Sequence, residues 1–390
     1  MKIDRRVNLF LAGSFVGLLM TGCATVTDFV GGDDNSEPPA ELVEFNAELK
    51  VEEAWSRSIG SGVTKYYLKL RPIIEDGRVF AADRKGRVSA YDTVNGNQVW
   101  ESDTDVPVSG GPGSGDGLII VGSSDGDVVA LNAADGEEKW RAKVSSEVLA
   151  APSAADGIVV VRTIDGKLFG LDATSGNRVW VYDRTVPVLT LRGTSTPVLS
   201  DGAAIAGFDS GRMVAVSLKN GQTLWETVIA VPRGRSELER LVDIDADPVI
   251  EDRTVYVVTY QGRVAALELF SGNVIWRRDM SSYAGLGING DHIYVTDADS
   301  FVWALDRKSS ASIWRQDQLK LRGLTSPLGV GRFVVVGDFE GYVHVLSSED
   351  GRMLARTRVD GDGIIATPIA HDGMVFVYGK GGTLTALRVK

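Results

Sequence analysis

Cysteine is almost absent from this 390-residue chain: Cys23 stands alone. No disulfide can form within the chain, which rules out a disulfide-stapled scaffold. Histidine is nearly as scarce, with His292, His344 and His371 scattered through the last third. Three separated imidazoles make no zinc-ligand pattern. Positive charge is in deficit, 41 Lys and Arg against 52 Asp and Glu for a net of −11. Such a balance lacks the basic surface that nonspecific nucleic-acid binding requires, so no nucleic-acid partner is expected. Helical periodicity is missing beyond the N-terminal segment. The one long apolar run, Val7 to Leu19, follows Lys2, Arg5 and Arg6. It is too short to span a bilayer as a helix and reads as a secretory signal.

Glycine, by contrast, is plentiful at 45 residues, and it falls in turns. In one stretch Pro152 opens an apolar run, and Asp156-Gly157 leads into Ile158–Val161. Asp165-Gly166 leads into Leu168–Leu171, and Ser175-Gly176 leads into a run ending at Trp180. Short β-branched runs bounded by Asp-Gly or Ser-Gly are hairpin signals. The unit recurs. Its closing tryptophans, Trp100, Trp140, Trp180, Trp225, Trp276 and Trp314, are 40, 40, 45, 51 and 38 residues apart. Its middle turn recurs at Gly86, Gly126, Gly166, Gly211, Gly262, Ser300, Gly341 and Gly382. A period near 40 built from such units means a radial β array. The eighth unit ends at Lys390 before its fourth run, while a spare run with the right tryptophan, Glu53 to Arg57, lies at the other end. Closing the ring with that run removes the exposed edges of an open array. The expected fold is all-β: an eight-bladed β-propeller of four-stranded blades, the last blade closed by the N-terminal strand. The tryptophans are expected to fill wedges between blades, and Trp303, out of register, to be a core residue.

Candidate chemistry fades on inspection. Asp243-Ile-Asp245-Ala-Asp247 begins like a calcium loop but has Pro248 at the sixth place and no Glu at the twelfth. No nucleophile elbow is present. Gly110–Gly115 is glycine-rich but leads into a strand, not a phosphate-binding helix. The phrase Ala-x-Asp-x-x-Ser/Asn-Gly-x-x-x-Trp resembles the repeat of the quinoprotein (PQQ) dehydrogenases. That resemblance implies the architecture. It does not extend to the enzymatic parts, because a vicinal disulfide is impossible here and no connection is long enough to roof a cofactor. No cofactor, metal site or catalytic residue is expected.

Function on a regular scaffold concentrates where the regularity breaks. From the closing Trp to the next inner-strand Pro the distance is 12 residues for Trp100–Pro112 and Trp140–Pro152, but 17 for Trp180–Pro197 and 23 for Trp225–Pro248. Both insertions flank the fourth blade and emerge on one face. The first carries Leu189, Leu191 and Arg192. The second carries Arg240, Asp243 and Asp245. Apolar anchors beside an arginine, rimmed by charge, suit a protein-binding hot spot. Alternatively the leucines extend the inner strand into the core and Arg192 pairs with Asp243 or Asp245. The two readings are compatible if the internal pair positions the loop. A third long connection, Trp55–Pro72, carries Tyr66 and Tyr67 and has no assigned role.

Met20-Thr21-Gly22-Cys23 looks like the lipobox of bacterial lipoproteins, in which the cysteine becomes the acylated first residue. Ala24 in the next position favours the outer membrane. Residues 1–22 are then a lipoprotein signal peptide, 23–47 the lipidated Cys23 with a flexible polar tether, and 48–390 the propeller. Lipobox, tether, eight repeats and the Leu189–Gly193 loop together resemble the BamB family, propeller lipoproteins of the outer-membrane β-barrel assembly (BAM) machinery of Gram-negative bacteria. The resemblance implies a non-enzymatic, periplasm-facing scaffold that meets the POTRA domains of BamA through Leu189, Leu191, Arg192, Asp243 and Asp245. Unfolded outer-membrane protein precursors are a further partner it suggests. The alternatives are a periplasmic PQQ-dependent dehydrogenase and an envelope adaptor with another partner.

Overall fold

The computed structural model describes residues 37–63, 66–184, 187, 189–191, 193–236 and 238–390. Cys23 and Arg192 lie outside the described residues. From Pro39 to Lys390 the chain forms one unit of 32 strands in eight antiparallel four-stranded sheets, each running in simple order from inner to outer strand. It is an eight-bladed β-propeller. Blade 1 consists of Ile73–Glu75, Arg78–Ala82, Arg87–Asp92 and Gln98–Asp103, and blade 7 ends in Met353–Arg358. In blade 8 the C-terminal strand Thr383–Val389 pairs with the N-terminal strand Val51–Ser58, register running from Val51 opposite Val389 to Ser58 opposite Thr383.

The Asp-Gly turns do what their sequence requires. Asp156 and Gly157 both have positive φ, 53° and 77°, the backbone of a type I′ turn that follows the twist of its strands.

The tryptophans form an inter-blade ladder. Each indole N–H donates to a backbone carbonyl in the last turn of the next blade: Trp55 to Thr93 at 3.0 Å, Trp140 to Ala173 at 2.8 Å, Trp225 to Leu269 at 2.8 Å. Trp100, Trp180, Trp276 and Trp314 repeat the contact. The ring of each except Trp276 lies against the glycine of that turn. A Cβ at Gly176 would come within 2.6 Å of the Trp140 ring, so glycine is required by close approach as well as by φ. At the turn beyond Trp276 the place of glycine is taken by Ser310, φ 60°, and Trp276 alone of the seven is only half-buried. Within its own blade each tryptophan faces a small residue, such as Ala90 opposite Trp100 and Gly170 opposite Trp180.

The eighth position explains itself. Ala355 stands where tryptophan is expected because blade 8 has no last turn: its outer strand comes from the other end of the chain. The residue opposite Ala355 is the larger Val345. The incoming N-terminal segment covers the junction instead, with Glu48 and Leu49 N–H donating to the Leu354 carbonyl and Arg352 paired with Glu48 at 3.0 Å. Residues expected to end the tether run along this surface. Ala40 N–H donates to Lys320 O, Arg322 donates to Ala40 O at 2.9 Å, and Leu42 and Phe45 pack on the core.

Trp303 differs from expectation. It is half-buried at the periphery of its cluster, donates to Asp297 at 2.7 Å and lies beside the Arg278 and Arg315 guanidiniums. An indole with a polar partner at its rim need not enter the core.

Candidate functional site

The two inserted connections lie side by side, held by the acidic triplet that imitates a calcium loop. In an extended chain alternate residues face one way, and Asp243, Asp245 and Asp247 use that spacing as a comb. Asp243 accepts a short hydrogen bond from the Leu191 N–H. Asp245 lies under Gly193, where a Cβ would come within 2.8 Å of its carboxyl carbon. Asp247 accepts from the Thr196 N–H at 2.7 Å. Two of the three carboxylates thus fix the first loop by hydrogen bonds, and the third lies against it at Gly193. Beneath them Arg162, fully buried, pairs with Asp209 at 2.9 Å and donates to Ser195 Oγ at 2.9 Å. Its stem and head lie over Phe208.

Burial sets the electrostatics. Asp243 has no exposed surface, and burial pushes its carboxyl up to about 7 against the opposing Leu191 hydrogen bond. Asp245 is pushed up to about 6 by burial, with Lys69 acting the other way. One oxygen of each has no hydrogen-bond partner among the described residues. Neither carboxylate is a surface group, therefore. Both sit below the loop they hold. Leu189 is 39% exposed and Leu191 half-buried, and on the second loop Val231 and Leu238 are strongly exposed. The leucines of the first loop do not extend the inner strand, which begins at Val198.

Arg162 and Ser195 were not singled out from sequence, and Asp247 figured there only as part of the calcium-loop imitation. The period-two spacing of the three aspartates was the available signal for Asp247. Arg162 carried none, being one polar residue at the end of an apolar run.

The third long connection is a strap. Its described parts, 59–63 and 66–71, start at the closing seam, where Ile59 N–H donates to Gly382 O, and end against the inner connections of blades 5 and 6. Lys69 Nζ donates to Tyr283 O of the blade 6 entry at 3.1 Å, and Arg71 lies 3.6 Å from Asp247. Leu68 and Leu70 are buried beneath it. Behind the strap the channel holds a cavity of about 420 Å³ to which blades 1 through 8 contribute, lined by Lys69, Arg71, Asp245 and Asp247 among others. A connection long enough to cover the channel therefore exists, contrary to expectation, because an extended strand covers about 3.3 Å per residue and needs no secondary structure to cross. Among the described residues no group of three His, Cys, Asp or Glu is disposed to hold a metal.

Comparison with known proteins is decisive about descent. The profile of the family described as outer membrane protein assembly factor BamB matches residues 36–107, 84–316 and 313–390. The chain is 51% identical over 364 residues to outer membrane protein assembly factor BamB of Pseudomonas aeruginosa, covering 93% of this chain and 96% of that one. The chain belongs to the BamB family. Xanthomonas campestris BamB is 40% identical over 390 residues, 96% of each chain. The crystal structure of BamB from Moraxella catarrhalis superposes with a TM-score of 0.80 at 27% identity, covering 87% of this chain and all of that one. The quinohemoprotein alcohol dehydrogenase of Comamonas testosteroni also superposes, TM-score 0.69 over 86% of this chain and 76% of that one, but at 15% identity. That likeness shows the fold alone. As a BamB-family propeller the chain is an assembly factor, not a dehydrogenase.

Proposed function

We propose that this chain is a periplasm-facing, lipid-anchored scaffold of outer-membrane β-barrel assembly that docks on the POTRA domains of BamA through the paired loops flanking blade 4. Family membership supports the assembly role. The observation that carries the docking site is the acidic comb. It holds the backbone at Leu191 and Thr196, so that Leu191, beside the exposed Leu189, is positioned before a partner arrives. Leu189, Leu191 and Arg192 are the contact residues in this reading, and Asp243 and Asp245 act through the loop they position. Anchoring follows from Cys23: residues 1–22 are removed, Cys23 is acylated, and more than one acyl chain makes the attachment stable. The stretch from Ala24 to Pro39 is the tether, spanning at most roughly 55 Å when extended. Unfolded barrel precursors are the cargo of the assembly so formed.

The test is binding of a BamA POTRA fragment to Leu191→Asp and Arg192→Glu, with the fold checked by circular dichroism. Placing a charge at a hot-spot leucine should weaken binding by at least about tenfold. Parent-like affinity in both variants would remove the loop pair from the interface.

A further inference from the structure

The strap divides the loop-bearing face into two clefts. One, between Tyr67, Lys69 and Asp245, belongs to the paired loops. The other lies on the far side of Lys69, over blades 6 to 8. Its walls are Tyr67, Tyr283, Phe339 and Ile365, and Lys69 and Lys380 stand at its margins. Tyr67 and Phe339 are 54% and 44% exposed. Aromatic groups left at the surface around one depression are the composition of an interface core.

Charge gives the occupant. The chain carries a net −11, yet this cleft is lined by two ammonium groups and no carboxylate. Lys380 has no carboxylate within ion-pair distance among the described residues, and Lys69, which also acts on Asp245 on the other side of the strap, is in no direct ion pair. Lys69 is satisfied by one carbonyl, Tyr283 O, which leaves donors free. Size narrows the choice further. At about 190 Å³ the cleft is below the ~300–1,000 Å³ usual for small-molecule sites and is on the scale of a single large side chain. Such a pocket takes the anchor residue of a protein partner.

We propose that the cleft bounded by Tyr67, Tyr283 and Phe339 and flanked by Lys69 and Lys380 docks an extended peptide segment of a partner protein, burying one apolar or aromatic side chain with acidic residues on either side. The aromatic walls receive the anchor and the two lysines meet the flanking carboxylates. The site is separate from the paired loops and stands whether or not those bind POTRA domains.

The test uses the full-length protein purified from membranes in detergent. The probes are a fluorescein-labelled, C-terminally amidated heptapeptide alternating Asp and Phe, and its counterpart alternating Lys and Phe, followed by anisotropy. The acidic peptide should bind saturably and at least about tenfold tighter than the basic one, and more weakly as salt rises. Lys380→Glu and Phe339→Ser should each weaken it by about tenfold or more, and Lys380→Gln by less than Lys380→Glu. Leu191→Asp should leave it unchanged, which separates this site from the paired loops. Equal affinity for both peptides, no saturable binding of the acidic one, parent-like binding in Lys380→Glu and Phe339→Ser, or loss in Leu191→Asp would each overturn the proposal.

Discussion

Replacing Asp243 by alanine and by asparagine separates holding a loop from carrying a charge. The Asp243 carboxylate accepts from the Leu191 N–H and is fully buried. Alanine removes the acceptor of a part-buried N–H, a loss of up to about 1–3 kcal/mol. Local opening at Leu191 should then rise by about tenfold to a hundredfold, at 1.4 kcal/mol per factor of ten. Asparagine keeps an acceptor oxygen of the same reach and carries no charge. The assay is amide hydrogen exchange at Leu191, expressed as protection relative to the free-peptide rate at each pH.

The pH dependence has a definite sign. An unfolded aspartate titrates near 3.9, whereas burial raises folded Asp243 to about 7. Between those values the folded loop holds a proton that the open loop has released. Stability from this group is complete below about pH 4 and declines as pH rises through about 7. The full shift corresponds to a ceiling of about 4 kcal/mol. Wild-type protection at Leu191 should therefore fall from pH 5.5 to pH 8, and Asp243→Asn should flatten that slope. At pH 8 Asn should protect as well as Asp or better. If Asp243→Ala leaves Leu191 protection unchanged at pH 5.5, the carboxyl does not hold the loop. If Asp243→Asn keeps the wild-type slope, burial of this charge is not its cause.

The inter-blade ladder predicts unequal costs for one substitution. Trp140→Phe removes a buried 2.8 Å hydrogen bond to Ala173 O and should lower stability by about 1–3 kcal/mol, whereas Trp276→Phe, at a half-buried site where water can replace the indole, should cost under about 1 kcal/mol; equal urea midpoints for the two would show that the hydrogen bond is not what matters. Ala355→Trp, which restores the repeat, should destabilise by about 1–3 kcal/mol through overpacking, because Val345 occupies the space opposite and no turn carbonyl awaits the indole; Val345→Ala should recover part of the loss, and a raised midpoint for Ala355→Trp alone would refute the account of the seam.

The propeller was legible because its determinants are local and repeated. An Asp-Gly pair dictates its own turn, and a tryptophan forty residues from the next sets the blade spacing. Even the exception was visible: the eighth unit without its fourth run and the spare run around Trp55 are two halves of one closure. The insertions were legible as lengths, which is why Leu189 to Asp245 could be found. Their mechanics were not. Which carboxylate sits above and which below a loop depends on how two irregular segments cross, and composition says nothing of crossing. The same alternation that made Asp243–Asp247 look like a metal loop lets Asp243 and Asp247 hold Leu191 and Thr196 while Asp245 packs against Gly193. The strap was missed for a related reason. Tyr66 and Tyr67 gave no periodic signal, and an extended crossing is made by tertiary contacts such as Lys69 to Tyr283.

Ring closure and the loop-bearing face are mechanically linked. The strap begins at Ile59, directly after the closing strand Val51–Ser58, and ends in Arg71 beside Asp247. Asp247 in turn holds Thr196 of the first loop. The seam, where the two chain ends meet, is therefore connected in three steps to the loops proposed to bind a partner. Lys69 on the same connection reaches Tyr283 O at the blade 6 entry, so one segment that starts at the closing seam touches both the second insertion and blade 6.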